Sequence, residues 1–352
     1  MKNTILNKQY MKITSTTFKL LFVIVLNFQC LPLIAQPNSR QKARIANKPL
    51  YRDSIYDGAA DPTVIWNPKE EKWFMFYTNR RANDANARGV SWVHGTPIGI
   101  AESEDGAHWE YKQICSINYS LENATYWAPD VIEHKGVFHM YLTVVPGVFE
   151  DWNHPRYIIH LTSLNLLNWD FQSKLNLASD RCIDASVFRL PNGSWRMFYN
   201  NERDKKSIYF ADSPDLYQWF DSNQKVIKDR GEGPKVFRWK RKNWMISDTW
   251  NGLSVYSSKD FVNWKKQEKN ILQVPGTGED DQVIGGHPDV VVNGKKAYIF
   301  YFTHPGRTTE NKGKDTYETR RSSIQLAKLE YKKGKIRCNR DQFVKINLKH
   351  KK

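Results

Sequence analysis

SEDGAHW (Ser103–Trp109), SLNLLNW (Ser163–Trp169), SPDLYQW (Ser213–Trp219) and SKDFVNW (Ser258–Trp264) share one pattern, Ser-x-[Asp/Asn]-x-x-x-Trp. An Asp or Asn side chain accepts hydrogen bonds from backbone amides two residues on and closes a tight turn. The tryptophan that follows is large enough to fill the gap between neighbouring sheets. Each copy follows a short alternating strand: IGIAES, IIHLTS, SIYFADS and LSVYSS. Before each of those lies an aromatic-rich strand: KWFMFYT, VFHMYLT, SWRMFYN and NWMISDT. A fifth pair, KAYIFYFT and SIQLAKLEY, lacks the turn. Successive tryptophans stand 60, 50 and 45 residues apart, the length of one four-stranded antiparallel blade. The sequence therefore predicts an all-β, five-bladed β-propeller over residues 51–340, after a lead-in at 36–50 and before a basic tail at 341–352. A β-sandwich is the alternative fold, but it does not explain the repeat.

The chain of 352 residues carries 13 Trp and 17 Tyr, which suits a sheet-rich core or a sugar-facing surface. Residues 1–35 read as a secretory signal peptide. Lys2, Lys8, Lys12 and Lys19 precede the apolar run Leu20–Leu26, and LIAQ offers a cut at Ala35. Cys30 is a candidate lipid-attachment site, although the preceding LNFQ lacks the usual small residues. The expected location is secreted or periplasmic. No other stretch is apolar and long enough to span a bilayer. The leader holds four lysines and no acids, so its loss lowers the net charge from +16 to +12. The basic residues are dispersed apart from RWKRKNW and KHKK, which reads as a solvated basic face more than as a nucleic-acid surface, with an acidic polysaccharide or a cell surface as alternative partners. Beyond the leader, Cys115, Cys182 and Cys338 form neither a disulfide framework nor a zinc spacing.

In a propeller the first strand of each blade lines the central channel, so residues opening those strands converge. The openings are AADPTVIW with Asp61, YWAPDVIEH with Trp127 and Asp130, CIDASVFRL with Asp184, GEGPKVFRW with Glu232, and GGHPDVVVN with His287 and Asp289. Small residues or proline flank each acid, leaving it uncovered toward the channel. Asp130 and Asp289, one residue past a proline, read equally as turn formers. His287 is either a structural histidine or a channel ligand to a water, metal or substrate. Trp92 and His94 in SWVHG and Trp250 in DTWNG come near the same region, as binding groups or as blade packing.

At these residues the sequence resembles glycoside hydrolase family 43, the five-bladed β-propeller glycosidases. The elements ADPTV, WAPDV, IDASVF, EGPKVF and GGHPDV fall in the family's order. Family 62 of the same clan shares much of the layout. The resemblance implies an inverting glycosidase with Asp61 as general base, Glu232 as general acid and Asp184 as the aspartate that holds the acid and tunes its pKa. It implies no required cofactor, with a structural calcium near His287 as an option. The family's late sugar-holding arginine corresponds to Arg321 or its neighbour Arg320, with Arg307 as a rival. The turn RLPNGSW in the third blade lacks the usual acids, and the insertion Arg80–Pro97 is long, so a divergent branch with its own specificity is expected. The leading expectation is exo-acting removal of arabinofuranosyl or xylosyl units, with galactosyl next, from plant or algal polysaccharide. The alternative is a carbohydrate-binding propeller without catalysis.

Overall fold

The computed structural model describes residues 43–348. The leader with Cys30 and the last four residues lie outside them. Each blade is an antiparallel meander of consecutive strands. Blade 1 comprises Ala59–Asn67, Lys72–Asn79, Ile98–Ser103 and Glu110–Ile114. Blade 2 comprises Thr125–His134, Val137–Val145, Tyr157–Ser163 and Asn168–Lys174, with Ser116–Asn118 added in parallel at its outer edge. Blade 3 comprises Cys182–Arg189, Trp195–Asn201, Ser207–Ser213 and Phe220–Ile227. Blade 4 comprises Glu232–Trp239, Lys242–Asp248, Leu253–Ser258 and Trp264–Lys266. Blade 5 comprises Gly286–Asn293, Lys296–Thr303, Ser323–Lys332 and Lys335–Cys338. The first strand of each blade contacts that of the next, and the fifth returns to the first, so the ring is closed. Among the described residues no helix is long and apolar enough to cross a membrane.

The repeated turn works as its chemistry predicts. Asp105 Oδ1 accepts from Ala107 N at 2.8 Å, and Asp215 Oδ1 from Tyr217 N at 2.9 Å. The serine adds a bond that the sequence reading did not assign: Ser213 Oγ accepts from Leu216 N at 2.8 Å, and Ser258 Oγ from Phe261 N at 2.8 Å. The tryptophans then pack backwards onto the preceding blade. Trp169 meets Phe76 edge-on with centroids 5.8 Å apart, Trp219 meets Tyr141 at 5.3 Å, and Trp264 meets Phe198 at 5.7 Å. Trp109 reaches Phe300 of blade 5 at 6.2 Å and so helps close the ring. The fifth blade, which has no such turn, sets Tyr331 against Trp244 of blade 4 at 6.1 Å.

The chain ends differ from expectation. Arg44–Ile45 pairs with Lys345–Ile346. Val344, Ile346 and Leu348 are buried with Trp73 and Trp109 of blade 1 and Phe300 of blade 5. Residues 44–50 and 341–348 are thus part of the closure, not a lead-in and a tail. The apolar residues alternate with polar ones here, as an edge strand requires.

One backbone device positions the site. All five inner strands break register at the same place, between Ala60 and Thr63, Trp127 and Asp130, Ile183 and Ser186, Glu232 and Lys235, and Gly286 and Asp289. The first bulged residue is left-handed each time: Asp61 at φ 52°, Ala128 at 44°, Asp184 at 59°, Gly233 at 53° and His287 at 24°. A bulge bends the strand and re-aims its side chain. Proline follows in four of the five copies. It is tolerated because the bulge has already interrupted the ladder, so its missing N–H costs no strand pairing.

Candidate active site

The bulges of blades 1, 3, 4 and 5 and the strand ends beside them line a cavity of about 560 Å³, within the range of small-ligand sites. Of the residues singled out in the sequence, Asp61, Asp184, Glu232, Trp92, Trp127, Trp250 and His287 all line it. His287 Nδ1 lies 3.4 Å from Asp61 Oδ1 and 4.0 Å from Asp184 Oδ2. Asp184 Oδ2 accepts from Gly233 N at 3.0 Å, one residue past Glu232. Gly233 is needed here: a Cβ would lie 2.8 Å from the His287 ring. The three sequence-predicted acids are therefore joined through His287 and the Gly233 amide.

Three predicted residues lie elsewhere. Asp130 sits two residues below the cavity-facing station, where Lys235 Nζ is 2.8 Å from both Asp130 Oδ1 and Asp289 Oδ1. The two aspartates also accept backbone amides, Val187 N and Val64 N, each at 2.8 Å. They are braces of the channel, neither simple turn formers nor sugar contacts. His94 is buried behind Trp127 with ring centroids 5.3 Å apart, its Nδ1 against Phe149 O at 2.8 Å. Burial pushes it down to about 4. Arg321 pairs with Asp280 at 3.1 Å and Glu318 at 2.8 Å, and Arg320 donates to Asp84 O and Ala87 O of the insertion at 3.1 and 3.2 Å. The arginine that lines the cavity is the rival, Arg307, lying 5.9 Å from the Trp92 ring centroid.

The insertion Arg80–Pro97 forms part of the wall. Arg81 donates to His94 O and Ser91 O, and Val90 N bonds Glu150 O at 3.0 Å. These bonds fix the short 3₁₀ turn Ser91–Val93 that presents Trp92.

The site also contains groups that the sequence reading missed. Arg80, Glu202, Asp248 and His304 line the cavity. All stand at or just after the end of the second strand of a blade, a station whose repetition is visible in the sequence. Arg80 Nη2 donates to both oxygens of Asp61 at 3.1 Å, and its Nη1 reaches His304 Nε2 at 2.9 Å. Since Arg80 can only donate, His304 must accept at Nε2 and carry its proton on Nδ1, which bonds Arg321 O at 2.9 Å. Asp248 Oδ2 accepts from His287 N at 3.0 Å and its Oδ1 from Trp250 N at 2.8 Å. Lys206 Nζ bridges Glu202 at 2.5 Å and Glu232 at 3.2 Å.

These contacts separate the carboxyls electrostatically. Burial alone would raise Asp61, but the charges of Arg80 and His287 outweigh it and hold the group below its ordinary value. Glu232 moves the other way. Burial raises it, Lys206 opposes, the Asp184 charge adds, and the balance stays above the ordinary range. Burial and the neighbouring Asp61 push Asp184 up to about 7, and burial and Glu232 push Asp248 to about 7. Divergent environments of this kind mark one group as the ionised base and another as the protonated acid.

The donor set does not fit the calcium anticipated near His287. Among the described residues no three His, Cys, Asp or Glu are placed to hold a metal. Asp61 is engaged by Arg80, and Lys235 spans the Asp130–Asp289 pair.

Comparison with known proteins agrees with this architecture. No curated protein matches the chain. Among solved structures, a thermostable family-43 glycoside hydrolase superposes with TM-score 0.60 at 18% identity, over 84% of this chain and 97% of its own. A β-xylosidase/α-arabinofuranosidase from a compost microbial metagenome, in complex with xylotriose in a calcium-free form, gives 0.61 at 15%, over 84% and 97%. An exo-β-1,3-galactanase from Clostridium thermocellum gives 0.63 at 15%, over 87% and 67%. The model of glycosyl hydrolases family 43 matches residues 91–335. That match starts downstream of Asp61, whose place in the site rests on the geometry above. With the ring closed, the acids gathered at its bulges and most of the chain matched, this protein belongs to glycosyl hydrolase family 43 and is a glycoside hydrolase.

Proposed function

We propose that the chain is a secreted, exo-acting, inverting glycosidase in which Asp61 activates water, Glu232 protonates the leaving oxygen, and Asp184 positions the acid. The carrying observation is that a carboxyl held ionised and a carboxyl held toward protonation share one cavity but come from blades 1 and 4. Inversion requires the two groups to stand about 6.5–9.5 Å apart, with a water on the base side. Asp184 acts on the acid in two ways: it grips Gly233 N beside Glu232, and its charge disfavours ionisation of Glu232.

Exo action is supported by the insertion, whose Trp92 stands in the cavity wall, and by Trp152 on the loop that Val90 grips through Glu150. Arg307 takes the role of the sugar-holding arginine, in place of Arg321. The expected terminal sugar is arabinofuranosyl or xylosyl, with galactosyl next, on oligo- or polysaccharide. Secretion rests on the leader at residues 1–35.

The test is hydrolysis of a panel of aryl glycosides and native oligosaccharides, with the product anomer followed by NMR. Glu232→Gln should cost about 10²–10⁴-fold in kcat, least on substrates with good leaving groups. Equal turnover by parent and variant would remove Glu232 as the acid, and a retained anomer would remove the water-activating role of Asp61.

A further inference from the structure

We propose that the cavity is built for a glycan bearing an oxyanion substituent, a sulfate ester or a uronate carboxylate, on the leaving-group side of the scissile bond, held by Arg181 and Arg230. The proposal rests on the roles given above to Glu232 and Asp61, because Glu232 defines the leaving-group side.

Six lysines and arginines line the wall; Arg307, assigned above to the sugar, lies by Trp92 and donates to Thr319 O at 3.0 Å, and the other five fall into two sets. Arg80 pairs with Asp61 at 3.1 Å, Arg156 with Glu202 at 2.5 Å, and Lys206 with Glu202 and Glu232 at 2.5 and 3.2 Å. Each is neutralised by the protein itself. Arg181 and Arg230 line the same cavity, yet among the described residues neither has a carboxylate within ion-pair distance. Arg181 reaches only Asn153 Oδ1, at 3.3 Å through Nη2, and its buried Nε has no partner. Arg230 lies over the Trp250 ring at 4.4 Å and makes no hydrogen bond to the described residues.

Both connect to the acid through Lys206. Lys206, which bonds Glu232, shares the Trp250 ring with Arg230 at 5.1 Å. Arg181 O accepts from the backbone N of Glu202, whose carboxylate holds Lys206. Glu202 is already divided between Arg156 and Lys206, so it cannot serve a third cation.

A neutral sugar offers hydroxyls that both donate and accept, and it needs acceptors in the wall as well as donors. The carboxylates of this wall are already engaged by Arg80, Arg156, Lys206 and backbone amides, whereas Arg181 and Arg230 add unpaired donors in a planar fork that matches a carboxylate or a sulfate. The net charge of +12 that remains after loss of the leader would favour encounter with such a polymer.

The experiment is equilibrium binding by calorimetry to the Glu232→Gln protein, using neutral, sulfated and uronate-bearing oligosaccharides of matched length. At least one anionic arm should bind about tenfold or more tightly than the neutral arm. The advantage should shrink between about 0.01 and 1 M salt, as the screening length falls from about 30 to 3 Å. Which anionic arm wins identifies the substituent. Adding Arg181→Gln and Arg230→Gln to the same background should abolish the difference between arms. Arg230→Lys, which keeps the charge and loses the fork, should retain part of it. Equal binding of all arms, or an advantage that survives the double replacement, overturns the proposal. Hydrolysis by the parent is scored separately on the same panel. Anion preference without hydrolysis retires the assigned chemistry and leaves the anion site, while hydrolysis without preference does the reverse.

Discussion

Replacing Arg80 by Gln should move the acidic limb of the pH–rate profile upward. Asp61 is 5% exposed, so burial drives it toward the neutral form. The guanidinium at 3.1 Å from both its oxygens is the first of the charges that reverse this. An opposite charge at such range shifts a carboxyl by about 1–3 units, each unit being about 1.4 kcal/mol. His287 stands 3.4 Å from Asp61 and is untouched by the substitution, so the lower part of that range, about 1–2 units, is expected. A base acts in its ionised form, and activity is lost as pH falls through its pKa. Raising that pKa starts the loss at higher pH. Over the window between the two midpoints the variant should fall up to about ten- to a hundredfold below the parent in kcat/KM, and the gap should close as pH rises. Stability follows the same sign. A depressed carboxyl stabilises the fold above its unfolded pKa, near 3.9, and loses that contribution as pH falls through the folded value. The difference in Tm between parent and variant should therefore be largest near neutrality and shrink in acid. Arg80→Lys keeps a charge without the two-oxygen contact and should give a smaller shift of the limb. An acidic limb that stays in place while Tm drops would show Arg80 to be a brace for His304 and would refute Asp61 as the titrating base.

Asp184→Asn removes a charge that helps keep Glu232 protonated. The alkaline limb should move to lower pH by about a unit or more, which a profile on the same aryl substrate reads directly. Lys235→Met leaves Asp130 and Asp289 buried without their cation, at a cost of about 3–5 kcal/mol in denaturant unfolding. Because the pKa of Lys235 is raised, its contribution is complete below the unfolded value near 10.4 and lost only in strong alkali, so the deficit should be constant through neutral pH. Trp169→Ala empties a site that is 1% exposed between blades 1 and 2 and should cost about 3–5 kcal/mol, with the anomer and pH profile of any residual activity unchanged.

The fold was legible because its turns are local. Ser213, Asp215 and Trp219 bond and pack within seven residues and the adjacent blade, so their spacing carries the architecture. The acids were legible because a left-handed bulge leaves a trace of small residues and proline around Asp61, Asp184 and Glu232. Arg80, Glu202 and Asp248 leave no such trace. The repeat marks the end of each second strand, but a charged residue there looks like the start of any loop, and strand pairing is what shows that these ends rise beside the bulges. The late arginines failed for a different reason. Arg320 and Arg321 are adjacent, but one turns to Asp315 and the insertion while the other turns to Asp280. The path of the loop after Thr303, not any spacing, brings Arg307 to the cavity. The terminal strand was obscured by composition: lysines and one histidine around Val344, Ile346 and Leu348 read as a tail, although the alternation was present.

The ring also explains why the acid sits one residue out of step. The bulged station carries Asp61, Ala128, Asp184, Gly233 and His287 in turn. Were blade 4 to place its carboxyl at that station, the side chain would meet His287, since even a Cβ at 233 comes within 2.8 Å of the ring. It would also approach Asp184 Oδ2, which is 3.0 Å from the backbone nitrogen of that residue. Glycine clears the station, lets Asp184 bond the main chain, and frees the preceding residue to carry the acid on a side chain one methylene longer. The acid is thereby handed to Lys206 and the Trp250 wall, while the base stays on the Arg80 side. A fivefold backbone repeat would by itself make blades 1 and 4 equivalent. The one-residue step at Glu232–Gly233 breaks that equivalence, and on it depends the separation of roles that inversion at a glycosidic carbon requires.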